Sequence, residues 1–238
     1  MLVTGGGKRL GRAMALRFAR EGADVVIHYG QSREAAEATA QEVRDAGVQA
    51  WTLAADLALA GAAEKLWNAA HEVSGNIDVL VNSASIFPAG TLDTLDEATL
   101  LGNLRVNTLA PHGLLRCMAR SDRAGCAINL LDSAMKTYDR GHVAYHLSKR
   151  ALYSLTRMAA VEYAPRLRVN GIAPGPVLPP PDADAAYLEA RGAETPLQAY
   201  GSPEHVAEAA VFLARSTYVT GQVIYIDGGN HLKGSMYE

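Results

Sequence analysis

The sequence predicts an α/β fold of the doubly wound, Rossmann type, with about seven parallel strands in one sheet and helices on both faces. Three observations carry this reading. Short apolar and β-branched runs alternate with segments of helical period, the pattern of repeated βαβ units. The strand runs, such as Val79-Leu80-Val81-Asn82 and Val25-Val26-Ile27-His28, are apolar almost throughout, as strands covered on both faces must be. A glycine-rich turn, Thr4-Gly5-Gly6-Gly7-Lys8-Arg9-Leu10-Gly11, separates the first strand from the first helix, where such a sheet binds phosphate.

In chain order, the first strand spans 2–4 and is short against the usual five or six residues or so, so the natural chain is expected to begin a few residues upstream. Helix 10–21 follows the glycine turn, then strand 25–28, helix 33–46, strand 50–54, helix 63–73 and strand 79–82. A long helix is predicted over 96–120, then strand 127–131, helix 143–164, strand 168–172, helix 203–215 and a last strand at 223–226. No internal repeat or linker divides the chain, so residues 1–238 are read as a single dinucleotide-binding catalytic domain. The least regular stretch is 175–196, where Pro179-Pro180-Pro181 can continue neither a helix nor a central strand. It follows a strand's carboxyl end and reads either as a substrate loop over the ligand crevice or as a plain surface connection.

Composition narrows the function class. The apolar share of 49% and charged share of 20% are those of an ordinary soluble globular protein. A formal net charge of -3 gives no electrostatic reason to expect nucleic acid or an anionic membrane as partner. No apolar run approaches the roughly 18 residues that span a bilayer, and no signal-peptide pattern opens the chain. Cys117 and Cys126 lack metal-ligand spacing and are expected as free thiols. A cytoplasmic enzyme acting on a small molecule, without a metal, is the expectation.

The cofactor half of the site is read from strand ends. Gly5, Gly6, Gly7 and Gly11 let the backbone turn tightly and approach a pyrophosphate, with Lys8, Arg9 and Leu10 at the helix N-terminus. An NAD site would place an acid about 20 positions beyond the glycines. Tyr29 stands there instead, followed by Gly30-Gln31-Ser32-Arg33, so no carboxylate repels a 2′-phosphate and NADP(H) is the expected cofactor. Arg33 also reads as the start of a solvated helix. Asp56-Leu57 after the third strand suits the adenine, and Asn82-Ser83-Ala84-Ser85 after the fourth lets the cofactor pass close to backbone.

Tyr145 and Lys149 are four residues apart in a helical segment, hence on one face. A nearby ammonium favours phenolate, which makes a tyrosine usable as an acid–base group near neutral pH. With the glycine turn and strand order, this pair makes the chain resemble the short-chain dehydrogenase/reductase superfamily over essentially its whole length. The resemblance extends to Asn107, Asn170-Gly171, Pro174-Gly175 and Asp227-Gly228-Gly229. It implies that Tyr145 transfers the proton, that Lys149 tunes it and binds the nicotinamide ribose, and that Asn107 holds a relay water. It also implies that Pro174, Gly175 and Val177 flank the nicotinamide, and that the protein is a homotetramer joined through helices 96–120 and 143–164 and the final strand.

Thirteen residues before the tyrosine, where that superfamily usually has serine, stands Asp132. A hydroxyl there donates to a carbonyl's developing charge, whereas a carboxylate repels it and suits a substrate rich in N–H groups. Asp132, Tyr145 and Lys149 resemble the Asp-Tyr-Lys set of pteridine reductases. Arg9, where most of the superfamily has glycine, and Ser85-Ile86-Phe87 resemble that subgroup too. The resemblance implies a pterin sandwiched by Phe87 against nicotinamide, with Arg9 between cofactor phosphate and pterin. Ser85 and Pro176 are further candidates for the substrate pocket, although Pro176 and the proline-rich loop give no substrate-specific match. Stacking of this kind contributes about 0.5–1.5 kcal/mol beyond burial.

Other readings stay open on the residues. A one-residue shift to Ser133 restores an ordinary reductase of 3-oxoacyl thioesters or small ketones. Phe87 reads also as a core or lid residue, and Lys8-Arg9 as serving the cofactor alone. A catalytically silent nucleotide-binding protein is the alternative from another class; an intact Tyr145, Lys149 and Asn107 argues against it. Ser83 replaces an asparagine common in the superfamily, and Gln31 stands where pteridine reductases can carry arginine for the 2′-phosphate.

Overall fold

Every strand among the described residues, 1–136, 140–180 and 184–235, joins one parallel sheet in this computed structural model. The strands are β1 (Leu2–Thr4), β2 (Val25–Tyr29), β3 (Ala50–Ala54), β4 (Val79–Asn82), β5 (Gly125–Leu130), β6 (Leu167–Pro174) and β7 (Val223–Ile226). Their order is β3-β2-β1-β4-β5-β6-β7. The chain therefore runs outward from β1 to one edge and resumes on β1's other side at β4, which opens a crevice at the carboxyl ends between them. Thr4 lies opposite Asn82, and Asn82 opposite Asn129, so these strand ends are level.

Helices α1 (Arg9–Arg20), α2 (Arg33–Asp45) and α8 (Pro203–Arg215) cover one face. Helices α3 (Ala62–Ser74), α5 (Ala110–Ala119) and α6 (Val143–Glu162) cover the other, with α4 (Glu97–Leu104) packed on α6. Strand alternation divides the core between the two layers. Val3, Ile27, Val81 and Ile128 face Met14, Phe18 and Val206, while Leu2, Val26, Leu80 and Ala127 face Leu66, Trp67 and Leu114. The inner strands are buried on both faces and so read as nearly continuous apolar runs, while the edge strand β3 carries the partly exposed Thr52 and β6 the partly exposed Arg168. No helix among the described residues is long and apolar enough to cross a membrane.

Two elements differ from the sequence expectation. The helix expected over 96–120 is α4, one π-helical turn at Arg105–Leu109, and α5. Pro111 has no N–H for the Asn107 carbonyl, and the Ala110 N–H bonds Arg105 O five residues back, so the extra residue is absorbed in a bulge. Asp96 sits outside as the N-cap, accepting from the Thr99 N–H. Within 175–196, a further helix, α7 (Ala185–Ala193), forms where no regular element was expected. Asp184 caps it by accepting from the Tyr187 N–H, and Leu188 supplies its buried contact. Pro181, the last of the proline run, lies outside the described residues.

The glycine turn joins β1 to α1 at close quarters. A Cβ on Gly11 would lie 2.2 Å from the Gly5 carbonyl oxygen, so helix and turn can touch only as bare backbone. Gly11→Ala is expected to destabilise the protein by about 3 kcal/mol, the upper end of the usual overpacking cost, read as a drop in the urea midpoint. An unchanged midpoint would mean that the turn yields freely.

Candidate active site

The chemistry gathers where β5 ends beside α6. The Tyr145 hydroxyl donates to Asp132 Oδ2 at 2.8 Å, and the Ala134 N–H donates to Asp132 Oδ1 at 2.7 Å. Asp132, not Ser133, meets the tyrosine; Ser133 is buried at the start of a 3₁₀ turn, Ser133–Lys136. Lys149, one helical turn after Tyr145, donates its Nζ to Leu130 O at 2.7 Å and lies 5.6 Å from the Tyr145 ring centroid. Burial pulls the Lys149 pKa from 10.5 down to about 8, with the Asp132 charge opposing. The phenol thus stands between an acceptor that holds its proton in place and a cation that favours the phenolate once the proton has left. Such a pair of opposite charges is built to hand over a proton.

Asn107 sits in the π-helical turn and fixes the wall of this site. Its Oδ1 accepts from the Ile86 N–H at 3.0 Å, and its Nδ2 donates to Ile86 O at 3.1 Å and to Ser148 Oγ at 3.0 Å. Ser148 Oγ in turn donates to Tyr145 O at 2.7 Å. The bulge turns Asn107 toward both the segment after β4 and the first turns of α6. Ser148 was not singled out from sequence; its spacing from Tyr145 marks it only as sharing the helix.

Ser85 and Phe87 are exposed on the segment after β4. The Phe87 ring is stacked on His142, with centroids 3.8 Å apart and planes at 15°, and is edge-on to Tyr145 at 4.6 Å. Backbone bonds fix this pair: Gly90 N donates to Gly141 O at 2.7 Å and Val143 N to Gly90 O at 3.0 Å. Phe87 is therefore part of the site's wall and not of the core. Sequence reading missed His142, although its place three residues before Tyr145 puts it one turn away.

The remaining strand ends carry the residues expected to meet the cofactor. Gly5 has φ +65 and lies so near Ala84 that a Cβ would be 3.0 Å from the Ala84 Cα. Gly7 leaves 2.9 Å between such a Cβ and the Ala36 N. This bare cradle fits a pyrophosphate. Lys8 and Arg9 are exposed beside it, with Leu10 packed on the core. Arg9 holds a left-handed φ of 52, a backbone state that costs about 1–3 kcal/mol without glycine. Its guanidinium donates to Pro179 O at 2.7 Å, joining the turn to the proline stretch. Tyr29 ends β2 half-buried, and exposed Gln31 and Arg33 flank Ser32, whose side chain makes no capping bond. No acid occupies this strand end. Asp56 is exposed, its carboxylate accepting from Ala58 N, and Leu57 is buried.

Asn82 is buried, donates to Asn129 Oδ1 at 2.8 Å and keeps its own Oδ1 without a partner; Ser83 N and Ala84 N both donate to Thr4 Oγ1. At the far side, Pro174 ends β6, Gly175 lies against Asp227, Pro176 O accepts from Gly201 N, and Val177 is buried. Gln31, Ser32, Arg33 and Asp56 stand apart from Tyr145. The three strand spacings from β2 to β5 cover about 14 Å, a span suited to an extended dinucleotide.

The enoyl-(acyl carrier protein) reductase family profile matches residues 7–231. An uncharacterized oxidoreductase of Mycobacterium tuberculosis is 37% identical over 238 residues, covering 96% of this chain and 90% of that protein. The 3-oxoacyl-(acyl-carrier-protein) reductase FabG of Staphylococcus aureus is 31% identical over 242 residues, 97% of each chain. FolM alternative dihydrofolate reductase 1 from Brucella canis, solved in complex with NADP, superposes with a TM-score of 0.91 at 34% identity, covering 99% of this chain and 95% of that one.

The lowered Lys149 pKa fixes a stability window. Folding disfavours its charged form, so that cost is present below about pH 8 and is relieved as pH rises to the ordinary 10.5. Wild type is therefore expected to gain stability relative to Lys149→Met across that window, measured by urea unfolding at a series of pH values. A difference that stays flat from pH 8 to 10.5 would contradict the buried ammonium.

Proposed function

The chain belongs to the short-chain dehydrogenase/reductase superfamily, and we propose that it is an NADPH-dependent pteridine reductase acting on a C=N bond of a pterin or dihydropterin. The observation that carries the reading is the Asp132 carboxylate bonded to the Tyr145 hydroxyl, at the position where a carbonyl reductase needs a donor. The likeness to FolM supports it.

NADPH supplies the hydride when bound. The turn at Gly5, Gly7 and Gly11, with Lys8, Arg9 and the α1 N-terminus, holds its pyrophosphate. Gln31, Ser32 and Arg33 take the 2′-phosphate in the absence of an acid beside Tyr29. Asp56 and Leu57 take the adenine, and residues Asn82 to Ser85 give the middle of the cofactor its path. Lys149 binds the nicotinamide ribose, and Pro174, Gly175 and Val177 flank the nicotinamide. Phe87, with Ser85, Arg9 and Pro176, holds the flat pterin. As the C=N carbon gains hydride, Tyr145 Oη gives its proton to the ring nitrogen, so C=N becomes CH–NH. Lys149 stabilises the phenolate left behind. Asp132 accepts from pterin N–H groups and, through water, serves the second ring nitrogen in dihydropterin reduction. Asn107 holds the relay water beside Lys149.

A second reading, reduction of a 3-oxoacyl thioester or small ketone, is favoured by the 31% identity to FabG. NADPH oxidation followed by absorbance, with dihydrobiopterin and dihydrofolate beside an acetoacetyl thioester, separates the two. Turnover is expected with the pterins alone. Asp132→Ser is expected to lower pterin turnover about 100-fold, in the range of a lost proton-transfer group, with NADPH affinity little changed. Unchanged pterin kinetics in that variant would remove Asp132 from the mechanism.

The same reading includes a homotetramer. Met158 and Val161 on α6 are 66% and 82% exposed, and Leu109 and Leu147 add apolar surface on the same layer. Light scattering is expected to give the mass of four chains, and Val161→Asp to give smaller species. A monomeric wild type would overturn the assembly.

A further inference from the structure

One buried group at the strand ends has no part in the chemistry above. His28 lies in β2 with 2% of its surface exposed, the one polar side chain in a run of valines and isoleucine. Its two ring nitrogens are both used. The Gly5 N–H donates to His28 Nδ1 at 3.1 Å, and His28 Nε2 lies 3.0 Å from Ala55 O. Because Nδ1 must accept from an N–H, the ring is neutral and carries its proton on Nε2, which donates to the Ala55 carbonyl. The Gly6 N–H also donates to the His28 backbone carbonyl at 3.0 Å. The imidazole thus bridges two separate pieces of backbone, the glycine turn after β1 and the segment after β3 that leads into Asp56.

We propose that His28 is a positioning residue for the dinucleotide: in its neutral Nε2–H form it clamps the pyrophosphate turn at Gly5 to the adenine-side segment at Ala55. The inference rests on the reading that NADP(H) lies along these strand ends. Protonation of Nδ1 sets a second N–H against the Gly5 N–H and breaks one arm of the clamp. The turn, with Gly5 already at φ +65, then loses one of its two bonds to His28 and keeps only the Gly6 N–H on the His28 carbonyl. Burial lowers the His28 pKa below 6.5, and the Ala55 carbonyl opposes this. The charged and titratable groups on the surrounding elements are Lys8 at the turn, Arg9, Arg12, Arg17 and Arg20 on α1, Arg33, Glu34, Glu37, Glu42, Arg44 and Asp45 on α2, Asp56 after β3, and Glu64, Lys65, His71 and Glu72 on α3. None of them is among the causes of the shift. The neutral clamp is therefore intact at and above neutral pH, and acidification below the ordinary imidazole value of 6.5 strains it.

The experiment is calorimetric titration with NADP⁺, which survives acid, on wild type, His28→Asn and His28→Leu between pH 5 and 8. Asparagine keeps an acceptor where Nδ1 stands, does not titrate, and cannot reach Ala55. At pH 8 the leucine variant is expected to bind about tenfold more weakly, the effect of one or two lost hydrogen bonds, and asparagine is expected to restore part of this. The 2′-phosphate of NADP⁺ titrates in the same range, so the readout is the difference between proteins. Wild-type affinity is expected to fall more steeply than that of His28→Asn as pH drops below 6.5. Carbon-13 shifts of the labelled wild-type histidine ring are expected to report the Nε2–H tautomer at pH 7.5. Equal pH slopes in wild type and His28→Asn, or the Nδ1–H tautomer, overturn the clamp. No NADP⁺ binding by wild type at any pH overturns the cofactor reading itself.

Discussion

Lys149 is a cation placed almost wholly out of water, and much of the site's geometry follows from keeping it there. Desolvation disfavours its charged form and lowers its pKa. The Leu130 carbonyl accepts from it, and the Asp132 charge draws its pKa back up. The same carboxylate receives the Tyr145 hydroxyl, so one acid serves both the charge balance of the lysine and the proton of the tyrosine. β5 must therefore end, and α6 begin, at one particular relative height. A serine at 132 would leave the ammonium with only the Leu130 carbonyl among these partners.

Behind this triad runs a buried polar framework that holds the height. Asn82 donates to Asn129, and Asn129 to Thr156 on α6, tying β4, β5 and the helix together in series. Asn107 and Ser148 do the same for the segment after β4. Each bond adds little net stability, but an unmade one inside the core costs about 1–3 kcal/mol, so the arrangement is resistant to small shifts. The π-helical turn belongs to this framework. Without the extra residue, Asn107 would face a different direction and the Ile86 backbone would lose its partner.

The cofactor side is governed by closeness rather than charge. Gly5, Gly7 and Gly11 each stand where a methyl group would meet backbone. Arg9 breaks the pattern with a left-handed backbone and a long side chain that reaches Pro179. Strain held at such a point is common where a group must be aimed, and here the guanidinium joins the glycine turn to the Pro179 carbonyl. Phe87, stacked on His142, sets another wall, its ring at right angles to that of Tyr145.

The sequence by itself determined the strand and helix runs and their succession along the chain, because strands buried on both faces must be apolar throughout and helices must show one apolar face, whereas the order of the strands in the sheet came only with the fold. It determined the glycine turn, the missing acid at Tyr29 and the shared face of Tyr145 and Lys149, since these depend on local geometry or on fixed spacing. It did not contain the break in the 96–120 helix, because a π bulge rests on one missing N–H weighed against tertiary bonds to Ile86 and Ser148. Nor did it contain α7, whose buried residues are only Leu188 and Gly192 and leave almost no periodic apolar signal. Asp132 against Ser133 was undecidable from the chain, as one residue of twist at the end of β5 exchanges them. The folded structure decided it through the 2.8 Å bond to Tyr145. His28 and His142 gain their meaning only from partners 23 to 55 residues away, Gly5 and Phe87, and pairings of that separation are set by packing and not by any local pattern.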